Sequence, residues 1–141
     1  MKSVAFILCA FVSVLFLSCE DNLVFTSESK LSSRLQGEWN PIKYTSLYGN
    51  AYNNVHTWKF DNGSLFVYEN AGGAGVDTAS YAIDAKVKNP TLKIEGFKTP
   101  LLDSSFGFNV KWTIIQLDNK VLDIVGNPFD GGLVELEFEK K

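Results

Sequence analysis

The last strand-forming segment of the chain alternates strictly between apolar and acidic side chains. Val134, Leu136 and Phe138 alternate with three glutamates, so one face of the segment is apolar and the other is charged. Successive side chains of a β-strand point to opposite faces, which makes this pattern typical of an antiparallel sheet with one face on a core and the other in water. The segment therefore predicts an all-β domain.

Similar signals recur from Gly37 onward. Short segments rich in β-branched and aromatic residues are separated by Gly, Asn and Asp, as expected for strands joined by turns. We predict eight strands, near residues 37–46, 54–60, 64–70, 78–84, 90–95, 107–117, 120–126 and 132–140. Eight short strands with mostly short links favour a small up-and-down antiparallel β-barrel, which closes its own edges. A β-sandwich is the alternative, and it usually needs longer Greek-key connections.

The N-terminal segment has a different composition. Met1-Lys2-Ser3 carries one positive side chain, and the segment from Val4 to Phe16 is apolar except for Ser13. It is shorter than the roughly 20 residues that a membrane-spanning helix needs, so it is typical of a cleaved secretory signal peptide. Its end, Leu15-Phe16-Leu17-Ser18-Cys19, resembles the lipobox of bacterial lipoproteins.

The resemblance to a lipobox implies cleavage before Cys19 and acylation of its thiol and of the new amino group. Two or more acyl chains anchor a protein stably, whereas a single chain binds marginally. A plain secretory signal, with Cys19 as an ordinary residue, is the alternative. Glu20 and Asp21 resemble the signal by which some Gram-negative lineages export lipoproteins to the cell surface, although a solvated tether has the same composition. We expect lipid anchoring at the outer membrane, on its periplasmic face or at the cell surface.

The predicted organisation is a signal peptide over 1–18, a tether over 19–34 and a barrel domain over 35–141. Cys9 is the only other cysteine and lies in the signal peptide, so the mature chain cannot form an internal disulfide. A domain of this size can bury an adequate core without one. Removal of Lys2 leaves 12 basic and 16 acidic residues, and this acidic balance argues against a nucleic-acid partner.

Leu35-Gln36-Gly37-Glu38-Trp39 resembles the opening of lipocalin-like domains, in which a Gly-x-Trp motif starts the first strand after a short helical turn. The segments 58–63, 81–83, 117–122 and 136–140 are similar to the later strands of small bacterial members. The resemblance implies a barrel floor formed by Gly37 and Trp39, with a basic residue near the chain end packing over the tryptophan. Lys140 stands where that family usually has Arg.

The segment before the Gly-x-Trp motif has one apolar pair. Leu31 and Leu35 are four residues apart and therefore share one face of a helical turn. Such a turn can plug the base of the barrel.

A hairpin is predicted at Asp61-Asn62-Gly63. A three-residue loop places Trp58 opposite Phe66, and His56 opposite Tyr68. A two-residue Asn62-Gly63 loop turns Phe66 and Tyr68 to the other face of the sheet, because a slip of one residue inverts the pattern. The concentration of large aromatic side chains on one face favours the three-residue loop.

A second hairpin is predicted at Leu117-Asp118-Asn119, where Asn119 tolerates a left-handed backbone. This loop pairs Ile114 with Leu122 and Trp112 with Ile124, so that the large apolar side chains of both strands face the same side.

The predicted inner face carries large aromatic rings and a few polar groups. Core filling is one interpretation, because side chains can nearly fill an eight-stranded barrel. A small pocket lined by aromatic rings is the other. Two functions stay open: binding of a small apolar or amphipathic molecule, or a filled interaction module that contacts a protein partner in the cell envelope. The candidate ligand-binding residues are His56, Trp58, Phe66, Tyr68, Tyr81 and Trp112.

The sequence offers no constellation for catalysis. His56 is the only histidine and no free thiol remains, so neither a hydrolase triad nor a closed zinc site is expected. The Gly-rich segment 71–75 lacks the Lys and the helix of a phosphate loop, and we interpret it as a loop at the barrel mouth. We expect no enzyme activity, no cofactor and no metal. Asp77-Thr78-Ala79 resembles the acceptor sequence of a general bacterial O-glycosylation system.

Overall fold

The computed structural model describes residues 26–46, 56–69, 75–85, 88–98, 110–129 and 132–141. The predicted signal peptide, Cys19 and residues 20–25 of the predicted tether lie outside these ranges. The described residues form one helix and eight strands: α1 (Glu28–Leu35), β1 (Gly37–Ser46), β2 (His56–Asp61), β3 (Ser64–Glu69), β4 (Gly75–Asp84), β5 (Thr91–Glu95), β6 (Lys111–Leu117), β7 (Val121–Phe129) and β8 (Gly132–Lys140). In this part of the chain, no helix is both long enough and apolar enough to span a membrane.

The strands form a closed barrel in sequence order, and each strand is antiparallel to its neighbours. The first and last strands pair, with Trp39 opposite Lys140 and Tyr44 opposite Leu136. The predicted up-and-down barrel is therefore confirmed, and a sandwich of two sheets in Greek-key order is excluded.

Helix α1 closes one end of the barrel. Ser27 caps it by accepting a hydrogen bond from the Lys30 N–H at 3.3 Å, which satisfies one of the free donors of the first turn. Leu31 and Leu35 are both fully buried, so the predicted apolar pair does plug the base. We call this end of the barrel the floor.

Trp39 and Lys140 complete the floor. The Trp39 Nε1–H donates to the Leu35 carbonyl at 2.8 Å, and Lys140 Nζ donates to the Arg34 carbonyl at 2.8 Å. Lys140 Nζ also lies 5.0 Å from the centre of the Trp39 ring, within the range of a cation–π contact. Burial lowers the pKa of Lys140 below its usual value. A lysine thus occupies the place over the tryptophan that the family resemblance assigns to a basic residue.

The β2–β3 hairpin has a two-residue loop, so the predicted three-residue loop is wrong. Asn62 and Gly63 both have positive φ, 45° and 86°, which matches the left-handed turn that joins twisted strands most directly. Trp58 therefore lies opposite Val67. The segment from Leu65 to Tyr68 is apolar on both faces, so its pattern fits either register. The register is fixed instead by the turn residues Asn62 and Gly63.

The β6–β7 hairpin also differs from the prediction. Asp118 Oδ1 accepts hydrogen bonds from the N–H groups of Lys120, at 2.7 Å, and Val121, at 2.8 Å. These hydrogen bonds place the loop at 118–120, one residue later than the predicted 117–119. A bulge after Ile114 brings Ile114 opposite Ile124, where the prediction had Leu122. Partial burial acts to raise the pKa of Asp118, but these hydrogen bonds and that from Gln116 outweigh it and lower the pKa below 3.8.

Gly126 on β7 lies directly against the ring of Trp112. A Cβ atom at this position would come within 2.7 Å of Trp112 Cε3, a distance at which the ring has to move. Trp112 is fully buried, so it has no free space on the solvent side. Because Gly126 has no side chain, the Trp112 ring can pack directly against the backbone of the neighbouring strand β7.

We expect Gly126→Ala to destabilise the protein by about 1–3 kcal/mol, the usual cost of overpacking a core. Urea unfolding followed by circular dichroism measures this difference. Gly75→Ala is the matched control, because a Cβ atom there meets nothing within 4 Å, and its unfolding midpoint should stay close to that of the wild type. Equal midpoints for the two variants would contradict the close packing of Trp112 on β7.

Candidate functional site

The two ends of the barrel differ in construction. The floor carries α1 and the turns after β2, β4 and β6. At the opposite end, which we call the mouth, β1, β3, β5 and β7 end and the next strands begin. The connections at the mouth lie largely outside the described residues, at 47–55, 70–74, 99–109 and 130–131.

Side chains fill the floor half of the barrel. The Trp58 ring centre lies 5.0 Å from that of Phe138 and 6.3 Å from that of Phe60. The Phe60 ring meets Tyr81 edge to face at 5.1 Å, a favourable geometry for aromatic pairs. These contacts leave a packed interior at this end. Its members with 2% exposure or less are Leu31, Leu35, Trp39, Trp58, Phe60, Leu65, Leu117, Leu122 and Phe138.

The interior near the mouth is less completely enclosed. Tyr44, Val76 and Val110 pack against the core but stay partly exposed. His56, the first residue of β2, is also partly exposed. Trp112, on the other side of the barrel, is fully buried. The described residues at the mouth therefore offer an apolar surface, with a phenol and an imidazole as polar groups.

Three of the predicted ligand-binding residues face the interior: His56 and Trp112 lie toward the mouth, and Trp58 lies at the boundary with the packed floor half. Tyr81 also packs against the core, but its hydroxyl accepts a hydrogen bond from Gln36 Nε2 at 2.7 Å. Gln36 Oε1 in turn accepts from the Asn62 N–H at 2.9 Å. These bonds assign Tyr81 to the floor, away from the mouth.

Phe66 and Tyr68 face outward, and their predicted place on the inner face is wrong. The two-residue turn puts Leu65 and Val67, both fully buried, on the inside instead. On the outer wall, Phe66 lies opposite Thr78. A shallow groove of ≈ 180 Å³ lies between β3 and β4 near the mouth and is bordered by residues of both faces: Phe66, Val67, Tyr68, Gly75, Val76, Asp77 and Thr78.

Tyr44 reaches the interior because of a bulge that shifts the strand by one residue. The register of β1 against β8 changes between Pro41 and Lys43, and Ile42 is left 54% exposed. Trp39 faces the interior and side chains alternate along a strand, so without the bulge Tyr44, five residues later, would face outward. Pro41 was the available signal, because proline cannot donate to a ladder and marks edges or bulges.

Charged side chains lie on the outer wall. Lys43 Nζ is 3.2 Å from Glu135 and 3.9 Å from Glu137, and the hydrogen bond to Glu135 raises the Lys43 pKa. Burial, followed by the charges of Glu135 and Glu137, raises the pKa of Asp123. Among the described residues, no three His, Cys, Asp or Glu side chains are placed to hold a metal ion.

The closed eight-stranded meander and its helix-plugged floor make the domain a small up-and-down antiparallel barrel, the fold that the resemblance to lipocalin-like domains implies. No family model and no curated protein matches the chain. Among solved structures, it is similar to a lipocalin-like protein from Bacteroides uniformis ATCC 8492, with a TM-score of 0.49 and 14% identity over 77% of this chain and 99% of that one. An uncharacterized protein from Bacteroides eggerthii DSM 20697 has a TM-score of 0.48 and 12% identity over 76% and 99%.

Proposed function

We propose that the mature protein is a lipid-anchored binding protein that holds a small apolar or amphipathic molecule in the mouth half of its barrel. The observation that carries this proposal is a set of partly exposed apolar side chains at the mouth. Tyr44, Val76 and Val110 contact the core and still meet solvent, and each lies at or beside the mouth end of its strand. Ligand sites of this kind are concave and mostly apolar, with a few polar groups.

The lining favours an amphipathic ligand over a charged one. Val76 and Val110 supply partly exposed apolar surface, and the charged pair formed by Lys43 and Glu135 is on the outer wall. Tyr44 and His56 supply hydrogen-bonding groups near the opening. A ligand with one polar end at the mouth and an apolar body inside fits this distribution.

The anchor is supported by the sequence, and the position of α1 bears only on the end of the barrel to which it would be attached. Residues 15–19 resemble a lipobox, and the chain enters the barrel at the floor, where Ser27 caps α1. A lipid on Cys19 would therefore be attached at the floor side, and the mouth is at the other end. This arrangement leaves the proposed binding end unobstructed by the anchor.

Tryptophan fluorescence should report the ligand. We expect a saturable change on titration with an apolar or amphipathic molecule, chosen from a panel of fatty acids, alkanols and aromatic metabolites. The change should persist in Trp39→Phe, because Trp39 lies at the floor, and should be smaller in Trp112→Phe, in which Trp58 remains to report the ligand. No saturable change with any member of the panel would contradict the binding proposal, and so would an equal loss of signal in both variants.

A filled interaction module is the second candidate, and two outward-facing aromatic residues favour it. Phe66 and Tyr68 are both partly exposed on the outer wall, and clustered apolar side chains at a surface often mark contacts with proteins. Phe66→Ser together with Tyr68→Ser separates the candidates. Ligand titration stays unchanged in this double variant if the interior binds the ligand, whereas crosslinking to envelope proteins is lost if the outer wall is the interface.

A further inference from the structure

The connection that follows β5 sends one side chain back into the barrel. Phe97 is 4% exposed although it belongs to none of the described strands. Its ring meets that of Trp58 edge to face, with the two ring centres 6.0 Å apart. Phe97 therefore contributes to the core from a connecting segment, where its position depends on local contacts.

A carboxylate on β4 fixes this connection in place. Asp77 Oδ2 accepts a hydrogen bond from the Lys98 N–H at 2.7 Å, and Oδ1 of the same group accepts from the Thr78 N–H at 2.7 Å. Charge-assisted hydrogen bonds of this length are among the stronger ones. Asp77 thus ties the residue next to Phe97 to the barrel wall.

The strand ends give the level at which Phe97 lies along the barrel. β5 ends at Glu95, at the mouth, two residues before Phe97. Trp58, whose ring the Phe97 ring contacts, is the third residue of β2 counted from the mouth, and Phe60 follows it toward the floor. Phe97 therefore lies on the mouth side of the packed floor half.

We infer that Phe97 sets the depth of the binding chamber and so determines the length of apolar ligand that the protein accepts. This inference rests on the proposed function, because it concerns the inner boundary of the same chamber. The ring of Phe97 closes the space above Trp58, and the hydrogen bond from Lys98 to Asp77 holds it there. An alkyl chain that enters at the mouth ends against this ring.

The test compares Phe97→Ala with Phe60→Ala. Both variants remove a phenyl ring that contacts Trp58, but Phe60 is in the packed floor half, so its loss leaves a cavity without access from the mouth. Each variant is titrated by tryptophan fluorescence with linear alkanols from hexanol to dodecanol. In Phe97→Ala, the best-bound alkanol should be longer by about two or three carbons, with about fourfold higher affinity for each additional buried methylene.

Phe60→Ala should keep the wild-type chain-length preference. Phe97→Leu serves if Phe97→Ala does not fold by near-ultraviolet circular dichroism, and it should give a smaller shift in the same direction. A folded Phe97 variant with the wild-type preference, or an equal shift in Phe60→Ala, would overturn the inference while leaving the proposed function intact. If only Phe97→Ala binds alkanols, Phe97 is the boundary and the wild-type chamber takes a different ligand. If no variant binds them, both proposals fail.

Discussion

Replacing Cys19 by Ala should abolish acylation of the protein and cleavage before residue 19. The lipobox resemblance places the acylated thiol and the cleavage site at this one residue, so its loss removes both modifications. The wild-type protein, extracted from membranes, should show an N-terminal acylated cysteine by mass spectrometry. Cells fed an alkyne-labelled fatty acid should label the wild type strongly and the variant at background level.

Cys9→Ala is the matched control for this experiment. Cys9 is the other cysteine of the chain and lies in the predicted signal peptide, so its replacement removes a thiol without touching the lipobox. This variant should be cleaved, labelled and retained at the membrane like the wild type. The prediction is wrong if the mature protein is soluble and starts at another residue, or if Cys19→Ala still incorporates the label.

Trp39→Ala should destabilise the domain by about 3–5 kcal/mol, the range for removing a large buried aromatic side chain. Trp39 is fully buried, donates to the Leu35 carbonyl and lies beneath Lys140. Its loss leaves a cavity between α1 and the strands, and it removes the ring over which the Lys140 charge rests. Since small domains are stable by about 5–15 kcal/mol in total, this single change should remove a large share of the stability.

Urea unfolding followed by far-ultraviolet circular dichroism measures the effect. Trp39→Phe is the comparison, because it keeps an aromatic ring but loses the Nε1–H that bonds to Leu35. It should cost roughly 1–3 kcal/mol, from the smaller ring and the lost hydrogen bond. A cost for Trp39→Ala no greater than that for Trp39→Phe would show that the floor does not depend on the tryptophan.

The floor of the barrel was predictable from sequence because its signals are local. Leu31 and Leu35 are spaced for one helix face, and the Gly-x-Trp motif follows directly. The last strand was predicted with the bounds that the structure gives, Gly132–Lys140, because only one of its faces is apolar. Where a pattern admits a single register, sequence and structure agree.

The strand registers and the candidate site were harder to predict because they depend on turns, bulges and connections. The β2–β3 segment is apolar on both faces, so the pattern assigned Phe66 and Tyr68 to the interior and missed Leu65 and Val67. Phe97 lies in a connection, where no periodicity reveals an inward side chain. Of the six ligand-binding residues predicted from the sequence, the candidate site therefore retains His56, Trp58 and Trp112.

The pairing of β1 with β8 also has a consequence for folding, in which closure of the barrel should be a late step. The other neighbouring pairs join strands that follow each other in sequence, whereas Trp39 pairs with Lys140 from the opposite end of the domain. Contacts this distant form slowly, because the entropy of closing the intervening loop is lost before the contact gives any stability. Until β8 arrives, β1 and β7 each present an unpaired edge that other chains can join. A chain that ends before Gly132 should therefore aggregate instead of folding into a smaller sheet.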